Sequence, residues 1–317
     1  MTDDHGDADA IRYLQVDVFA ERAGGGNPLG VVFGADAWSE ADMQRFAKWT
    51  NLVETTFVLA PGDARASYRL RIFTPTREIP FAGHPSIGSA HAALETGRAC
   101  ARAGELLQEC GAGLLPIRVG GEGTCRRLFV RSPAARVVRE GGDDALLRAA
   151  LGGMRLGALP PAFIDGGRRW WVAELADEAS LRAWKPDHAA ILALARAGDG
   201  MGLCVFARAD TAAVPPPPNP ESPGYDLVVR AFPAGVGIGE DPASGAANGL
   251  IAAYIAQREP HGALARGYRV SQGRETGHDA TLDVRIDGSS AAAVIWVGGR
   301  SHTIVDGTIR CRIGDAR

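Results

Sequence analysis

The sequence predicts an α+β protein built from two similar halves, and three observations support this. The chain has 317 residues, about twice the length of a typical single domain. Segments with the alternation of strands occur between helical segments from one end to the other. Each half also contains an arginine- and phenylalanine-bearing strand, then a loop rich in proline and glycine, then a helix of small residues. Two matching halves indicate a pseudo-symmetric protein with a site in the cleft between them.

The first half is rich in predicted strands. Hydrophobic alternation places them at 13–19, 29–33, 54–59, 68–73, 114–119 and 125–131. Ser39 followed three residues later by Asp42 is typical of a helix N-terminus, so a helix is expected there. A second helix is expected over 85–94, with Pro85 in its first turn and Gly97 at its end.

The second half begins near Val137 and repeats this mixture. Strands are expected at 170–173, 202–207 and 227–232, around Arg269, and at 282–286 and 293–297. Helices are expected over 189–197 and from the glycine-rich loop ending at Gly245 to about Gln257. Four consecutive prolines predict a stiff exposed loop over 214–225.

Composition excludes several classes of protein. With 34 basic and 37 acidic side chains, the net charge of −3 disfavours binding to nucleic acid. No stretch reaches about eighteen consecutive apolar residues, so no membrane span is expected. The five cysteines lack Cys-x-x-Cys or Cys/His ligand spacing, which favours reduced thiols in a cytoplasm and disfavours structural zinc. Motifs for serine hydrolysis, phosphate loops and dinucleotide binding were not found, which leaves proton transfer by carboxylate and imidazole.

The two repeated loops lead into helix N-termini, which bind carboxylates and stabilise developing anions. If the two helix starts face each other, they form a cage for a small anionic substrate. His84 and Asp241 would then lie at the mouths of these helices. On the pattern alone, it is equally plausible that His84 is a helix cap and Asp241 a partner of the helix dipole. Glu54, at the start of an apolar strand, is more simply explained as a solvated carboxylate.

Five blocks in a fixed order give a more specific indication. They are Asn27-Pro28-Leu29-Gly30, Asn51-Leu52-Val53-Glu54, Arg71-Ile72-Phe73-Thr74-Pro75, Pro80-Phe81-Ala82-Gly83-His84-Pro85 and Glu240-Asp241-Pro242-Ala243-Ser244-Gly245-Ala246. Together with a late Gln272-Gly273 pair, they resemble the PhzF-like phenazine-biosynthesis family over roughly residues 11–310.

The resemblance implies a diaminopimelate-epimerase-like fold, in which each of two domains wraps a curved mixed sheet around a central helix. It also implies a homodimer. The expected domains are 11–134, with Glu54 and His84, and 135–317, with Asp241. In one version of this division the last strand returns to the first domain. Residues 1–10 are expected to form a disordered acidic tail.

The resemblance also assigns roles to residues. Related racemases use one cysteine per domain, but those positions match Ala82 and Ser244 here, which disfavours two-thiol racemisation. The characterised enzymes of the family isomerise trans-2,3-dihydro-3-hydroxyanthranilate, and many members have no known substrate. The resemblance therefore implies that Glu54 shuttles a proton, while His84 and Asp241 orient the substrate and assist the transfer. Burial and a substrate carboxylate could raise the proton affinity of such a carboxylate toward neutrality. The expected substrate contacts are Gly83, Ser244, Gly245, Ala246, Gln272 and Gly273.

Two departures from the family pattern bear on the substrate. Ala246 stands where members commonly have serine, which removes a hydroxyl worth about 1 kcal/mol or more. In the alternative, Ser244 or Ser86 supplies this hydroxyl instead. The stretch Gly277-His278-Asp279-Ala280 has histidine in place of a usual arginine, so anion binding there should be weaker or different.

The favoured function is therefore an isomerase that needs no cofactor or metal and acts on a small cyclic amino or hydroxy acid bearing a carboxylate. The alternative is a non-catalytic relative that uses the same fold to bind a small molecule or protein, and an amino-acid racemase ranks third. The isomerase hypothesis predicts that Glu54, His84 and Asp241 converge on one cleft between the domains.

Overall fold

A computed structural model describes residues 11–209, 224–288 and 293–310 of the chain. The predicted acidic tail, most of the predicted proline loop and Cys311 lie outside these ranges. The chain divides into two compact units. Of the described residues, one unit combines 11–18 with 28–130 and 301–310, and the other combines 19–27 with 131–209, 224–288 and 293–300. The domain limits expected from the sequence remain a prediction.

The structure contains strands and α-helices throughout, which confirms the α+β class. The strands are β1 (Ile11–Val18), β2 (Asn27–Phe33), β3 (Thr55–Leu59), β4 (Tyr68–Phe73), β5 (Glu78–Ile79), β6 (Glu105–Cys110), β7 (Gly113–Gly120), β8 (Arg127–Arg131), β9 (Arg136–Glu140), β10 (Ala162–Asp165), β11 (Arg169–Glu174), β12 (Gly202–Arg208), β13 (Leu227–Phe232), β14 (Gly267–Gln272), β15 (Ala280–Asp287), β16 (Val294–Gly299) and β17 (Ser301–Ile309). The helices are α1 (Glu40–Thr50), α2 (Gly83–Glu95), α3 (Ala145–Leu151), α4 (Glu178–Ala183), α5 (His188–Ala197) and α6 (Gly245–Arg258).

The first unit is a mixed sheet packed against helix α2. Strand β2 runs parallel to β3, β4 is antiparallel to β3, β6 is parallel to β4, and β7 and β8 follow in antiparallel order. Strand β1 pairs antiparallel with β17. Helix α2 packs on β1, β3, β4 and β17, and every residue from His84 to Ala93 is buried. A helix that is buried on all sides is the central helix of its unit.

The second unit repeats this order of pairing. Strand β11 runs parallel to β12, β13 is antiparallel to β12, β14 is parallel to β13, and β15 and β16 follow in antiparallel order. Helix α6 packs on β15 and β16, and every residue from Ala247 to Ala256 is buried. In each unit the central helix lies in the connection that follows the strand with arginine and phenylalanine. The internal repeat expected from the sequence is therefore confirmed.

The central helices contact their sheets closely because small residues line them. A Cβ atom added to Gly88 of α2 would lie 2.5 Å from Leu29 Cδ2 and 2.7 Å from Val18 Cγ2. A Cβ atom added to Gly249 of α6 would lie 2.1 Å from Ser132 Oγ. These contacts explain why glycine, rather than a larger residue, occupies these two positions of the central helices.

Local signals set most of the element boundaries. Ser39 and Asp42 form the expected capping box at the start of α1. Strand β1 ends at Val18, one residue before the expected end, and the next residue, Phe19, has a φ of 63°. The predicted start of the strand at 125–131 is wrong, because Gly123–Cys125 forms a 3₁₀ turn and the strand begins at Arg127. Among the described helices, none is long and apolar enough to cross a membrane.

Candidate active site

Glu54 immediately precedes β3 and lies on the side of the sheet that faces α2. Two residues further along, Thr56 lies 2.8 Å from Ser89 of α2, measured between the hydroxyl oxygens. Because side chains two apart on a strand share a face, Glu54 projects toward the same helix. The backbone carbonyl of Glu54 also accepts a hydrogen bond from Gly30 N–H, at 3.4 Å, which connects the start of β3 to β2.

The side chains of Glu54 and His84 form a direct pair. His84 Nδ1 lies 3.2 Å from Glu54 Oε2, and the two side chains are only 7% and 13% exposed. The explanation of Glu54 as a solvated carboxylate is therefore wrong. A proton lies between the two groups in either of two ways, donated by the ring N–H to a carboxylate or by a carboxyl group to the ring nitrogen. Such a pair can hold or release a proton without leaving its position.

His84 is the second residue of α2, and it does not cap the helix. The N-cap is Ala82, which has no side chain to accept hydrogen bonds from the first turn. Pro85 has no N–H, and the N–H of Ser86 bonds to the Ala82 carbonyl at 3.2 Å. Gly83, which was expected to present its N–H to the substrate, is half-buried at this helix start. The start of α2 therefore has no side-chain cap, and the positive end of the helix dipole lies next to the Glu54–His84 pair.

Asp241 is held in the loop before α6 in the second unit. Its Oδ1 accepts hydrogen bonds from Asn27 Nδ2 at 3.0 Å and from the N–H of Ala243 at 3.2 Å. Its backbone N–H bonds to the carbonyl of Ala231 on β13 at 2.9 Å. Asp241 is half-buried, and these contacts give its carboxylate a fixed orientation. The expected convergence of Asp241 with Glu54 and His84 stays a prediction.

The residues expected to bind substrate beside Asp241 occupy different environments. Ser244 is the N-cap of α6, and its hydroxyl accepts a hydrogen bond from Ala247 N–H at 3.3 Å. Gly245 is half-buried and Ala246 is exposed. A Cβ atom on Gly273, which has a φ of 94°, would lie 2.5 Å from the Pro242 carbonyl. Close packing on this loop therefore explains Gly273, and its contact with substrate stays a prediction.

Gln272 has a structural environment that the sequence did not suggest. It is fully buried, and its Nε2 donates to the carbonyl of Asp241 at 2.8 Å. Its Oε1 accepts from Ser244 N–H at 3.3 Å and from Asn248 Nδ2 at 2.9 Å. Both ends of the amide are therefore occupied by this chain, which makes Gln272 a support for the site in the structure described here. Its role as a substrate contact is still a prediction.

His278 binds a neighbouring loop. Its Nδ1 lies 2.6 Å from the carbonyl oxygen of Gly26, and since a carbonyl only accepts, the ring donates from Nδ1. Asp279 adds a backbone bond of 2.7 Å to Gly25 and an ion pair with Arg274 at 2.7 Å. This stretch therefore positions the turn that precedes Asn27.

Sequence reasoning missed two contributors to the site, Asn27 and Gln108. Asn27 belongs to one of the five sequence blocks, but the sequence did not predict that it contacts Asp241 or that it is only 1% exposed. Gln108 is a fully buried polar residue of β6 that contacts Ser86, near the start of α2. Strand β6 also contains Glu105 and Glu109, so its composition gave no signal that Gln108 is buried. In the part of the chain that the structure describes, no group of three or more histidine, cysteine or acidic side chains is arranged to hold a metal ion.

Comparison with solved structures identifies the class of fold. The structure resembles a hydroxyproline epimerase from Agrobacterium vitis with a TM-score of 0.55 and 14% identity, over 95% of this chain and 93% of that one. It resembles a phenazine biosynthesis protein of the PhzF family from Bacillus anthracis with a TM-score of 0.81 and 24% identity, over 95% and 99% of the two chains. These likenesses show the diaminopimelate-epimerase-like fold.

The sequence comparisons narrow the class to one family. The family model described as phenazine biosynthesis-like protein matches residues 16–307. The chain belongs to this PhzF family. It is 32% identical over 304 residues to the trans-2,3-dihydro-3-hydroxyanthranilate isomerase of Pseudomonas chlororaphis, covering 94% of this chain and 98% of that enzyme. It is 33% identical over 305 residues to antisense-enhancing sequence 1 of Schizosaccharomyces pombe, covering 93% and 97% of the two chains.

Proposed function

We propose that this protein is a cofactor-independent isomerase that moves a proton between two carbon atoms of a small cyclic amino or hydroxy acid. The observation that carries the proposal is the nearly buried Glu54–His84 pair beside the uncapped start of α2. Membership of a family that includes named isomerases supports the reaction class.

Glu54 is the proton carrier in this proposal. Its carboxylate accepts a proton from a substrate carbon, and the electron pair of that C–H bond moves into the adjacent π system of the substrate. The same carboxyl group then returns the proton to a second carbon on the same face, so that no second base is required. His84, which shares a proton with Glu54, holds the carboxyl group in position between the two steps.

Negative charge that develops on the substrate during the proton transfer must be stabilised by the protein. The start of α2, which has no side-chain cap, presents the positive end of a helix dipole next to Glu54. We propose that Asp241, oriented by Asn27, binds an amino or hydroxyl group of the substrate. Both proposed contributions are electrostatic.

The proposal is tested by a screen in heavy water. Purified protein is offered trans-2,3-dihydro-3-hydroxyanthranilate and a panel of small cyclic amino and hydroxy acids in D2O. Isomerisation of one of them, with deuterium entering the product where solvent exchange competes with redelivery, supports the proposal. If the whole panel is neither isomerised nor deuterated at millimolar concentrations, the proposed reaction class is contradicted.

We expect the phenazine intermediate itself to be a poor substrate. Ala246 is exposed at the start of α6 and offers no hydroxyl, and His278 is bound to Gly26. A site that lacks a hydrogen-bonding group leaves the matching substrate group unpaired, which reduces turnover strongly. Turnover near the median enzyme rate of about 10 per second would refute this expectation. Partial recovery of a weak rate by Ala246→Ser would support it, and Ala265→Ser provides a control.

A second candidate function is non-catalytic binding of a small molecule or protein. The relative from Schizosaccharomyces pombe favours it, because the name antisense-enhancing sequence 1 describes no isomerisation. A ligand that copurifies with the protein and leaves it chemically unchanged, together with no isomerisation in the screen, would favour this function.

The proposal also includes a cytoplasmic location and a homodimer, both of which stay predictions. Ultracentrifugation of the purified protein tests the dimer directly.

A further inference from the structure

Two glutamines, one in each unit, are fully buried beside the start of a central helix. Gln108 lies on β6 and Gln272 at the end of β14, and both are 0% exposed. Burying an amide is unfavourable unless its hydrogen bonds are replaced. Their positions therefore call for an explanation beyond packing.

In the first unit, Gln108 belongs to a chain of hydrogen bonds that ends at the helix start. Tyr68 O–H donates to Gln108 Oε1 at 3.1 Å, and Gln108 Nε2 donates to Ser86 Oγ at 3.0 Å. Ser86 O–H in turn donates to the Ala82 carbonyl at 2.9 Å. Ser86 accepts from the glutamine because its own proton is directed to a carbonyl, so the direction of the chain is fixed. Burial raises the pKa of Tyr68, which keeps this hydroxyl a donor.

The second unit makes the corresponding link with different partners. Asn248 Nδ2 donates to Gln272 Oε1 at 2.9 Å and to the Ser244 carbonyl at 2.9 Å. Gln272 also accepts from Ser244 N–H at 3.3 Å and donates to the Asp241 carbonyl at 2.8 Å. Ser244 is the N-cap of α6, as Ala82 is the N-cap of α2.

The two links join the same points of the two helices. Ser86 and Asn248 are each the fourth residue of their central helix, and each bonds to the carbonyl of the N-cap residue. The glutamines themselves stand at different places in the sheet register, since Gln108 is paired with the first residue of β4 and Gln272 with the third residue of β13. The same connection is thus made from two different strand positions.

We infer that Gln108 and Gln272 are positioning residues that fix the first turn of each central helix to the strand beside it. Gln108 thereby sets the position of Gly83 and His84, and Gln272 that of Asp241 and Ser244. What these held groups do rests on the proposed function, whereas the connection itself does not.

The test measures amide hydrogen exchange, which needs no substrate. In Gln108→Leu, the N–H of Ser86 should exchange about tenfold or more faster than in the native protein, because the helix start opens locally. In Gln272→Leu, the N–H of Ser244 should exchange faster by a larger factor, because three hydrogen bonds are lost instead of two.

Matched controls separate local opening from a general loss of stability. Leu106→Ala on β6 and Val270→Ala on β14 remove buried apolar atoms from the same two strands. Each control variant is compared with a glutamine variant that has the same free energy of unfolding. In the control variants, the amides at the helix starts should exchange at the native rate. If a glutamine variant exchanges at these amides no faster than its control, the inference is overturned.

Ser86→Ala and Asn248→Ala break the same links from the helix side, and they serve where a leucine variant does not fold. Each should reproduce the local acceleration, and the double variant Gln108→Leu/Ser86→Ala should show little beyond either single change. Additive effects in the double variant would contradict a shared link. Because no substrate enters these measurements, an inactive protein with the expected exchange would count against the proposed function alone.

Discussion

Two histidines of helix α2, His84 and His91, have different surroundings. His91 lies midway along α2, is 8% exposed, and has its Nε2 3.5 Å from Glu95 Oε2. Burial lowers the pKa of His91 to about 4, although the Glu95 carboxylate acts in the opposite direction. His91 is thus a neutral core residue, whereas His84, on the same helix, lies within hydrogen-bond distance of the Glu54 carboxyl group.

The lowered pKa of His91 predicts how stability depends on pH. Because the folded protein binds this proton less readily than the unfolded chain, the contribution is fully present above about pH 6.5 and is lost as the pH falls toward 4. Urea unfolding at pH 7 and 4.5 should show that the native protein loses about 2 kcal/mol more than His91→Gln. His261→Gln, an exposed histidine, is the control. An equal loss in native protein and His91→Gln would contradict the prediction.

At the scale of elements, each unit supports the loop before its central helix with an arginine from the preceding strand. Arg71 binds Glu78 through two bonds of 2.8 and 2.6 Å, and Arg230 binds Glu240 through two bonds of 2.8 and 2.9 Å. Each guanidinium also lies over the phenylalanine two residues on, at 5.1 and 5.2 Å from the ring centre. The repeat thus preserves an interaction as well as a sequence pattern.

The two arginines differ in burial, which predicts unequal effects of substitution. Arg230 is 4% exposed and also donates to the carbonyls of Leu181 and Trp184. Arg230→Met leaves Glu240, whose side chain is only 11% exposed, without its cation, so chemical denaturation should show a loss of about 3–5 kcal/mol. Arg71→Met should lose less, because its side chain is 17% exposed. Arg230→Met/Glu240→Gln should recover part of the loss, and no recovery would argue against a charge effect.

At the scale of the whole molecule, the reaction should depend on residues from both units. Glu54 and His84 belong to one unit and Asp241 to the other. If one reaction uses all three, Glu54→Gln and Asp241→Asn should each lower kcat/KM, and their double variant should lose less than the two single losses combined. Fully additive losses would indicate that the two residues act independently.

The repeat and the motif residues could be predicted from the sequence because they depend on residues that are close together in the chain. Arg-x-Phe strands, the Ser39 capping box and the small-residue helices all involve neighbours in sequence. Other features depend on distant partners, such as the pairing of β1 with β17 and the contact of Asn27 with Asp241. Helices α3 and α4 were not predicted, and with seven and six residues they are too short for a clear helical period. The buried state of Gln108 could not be predicted, because its partner Ser86 is on another element.

The central claim, that Glu54 carries the proton, is tested most directly by deuterium transfer with Glu54→Gln. The substrate found in the screen is incubated in D2O with native protein, with Glu54→Gln, and with Glu105→Gln as an exposed control. We expect Glu54→Gln to keep the fold and the ligand affinity and to lose isomerisation and deuterium incorporation by a factor of about 10³ or more, because an amide cannot accept the proton. Native rates of both processes in Glu54→Gln would contradict the claim.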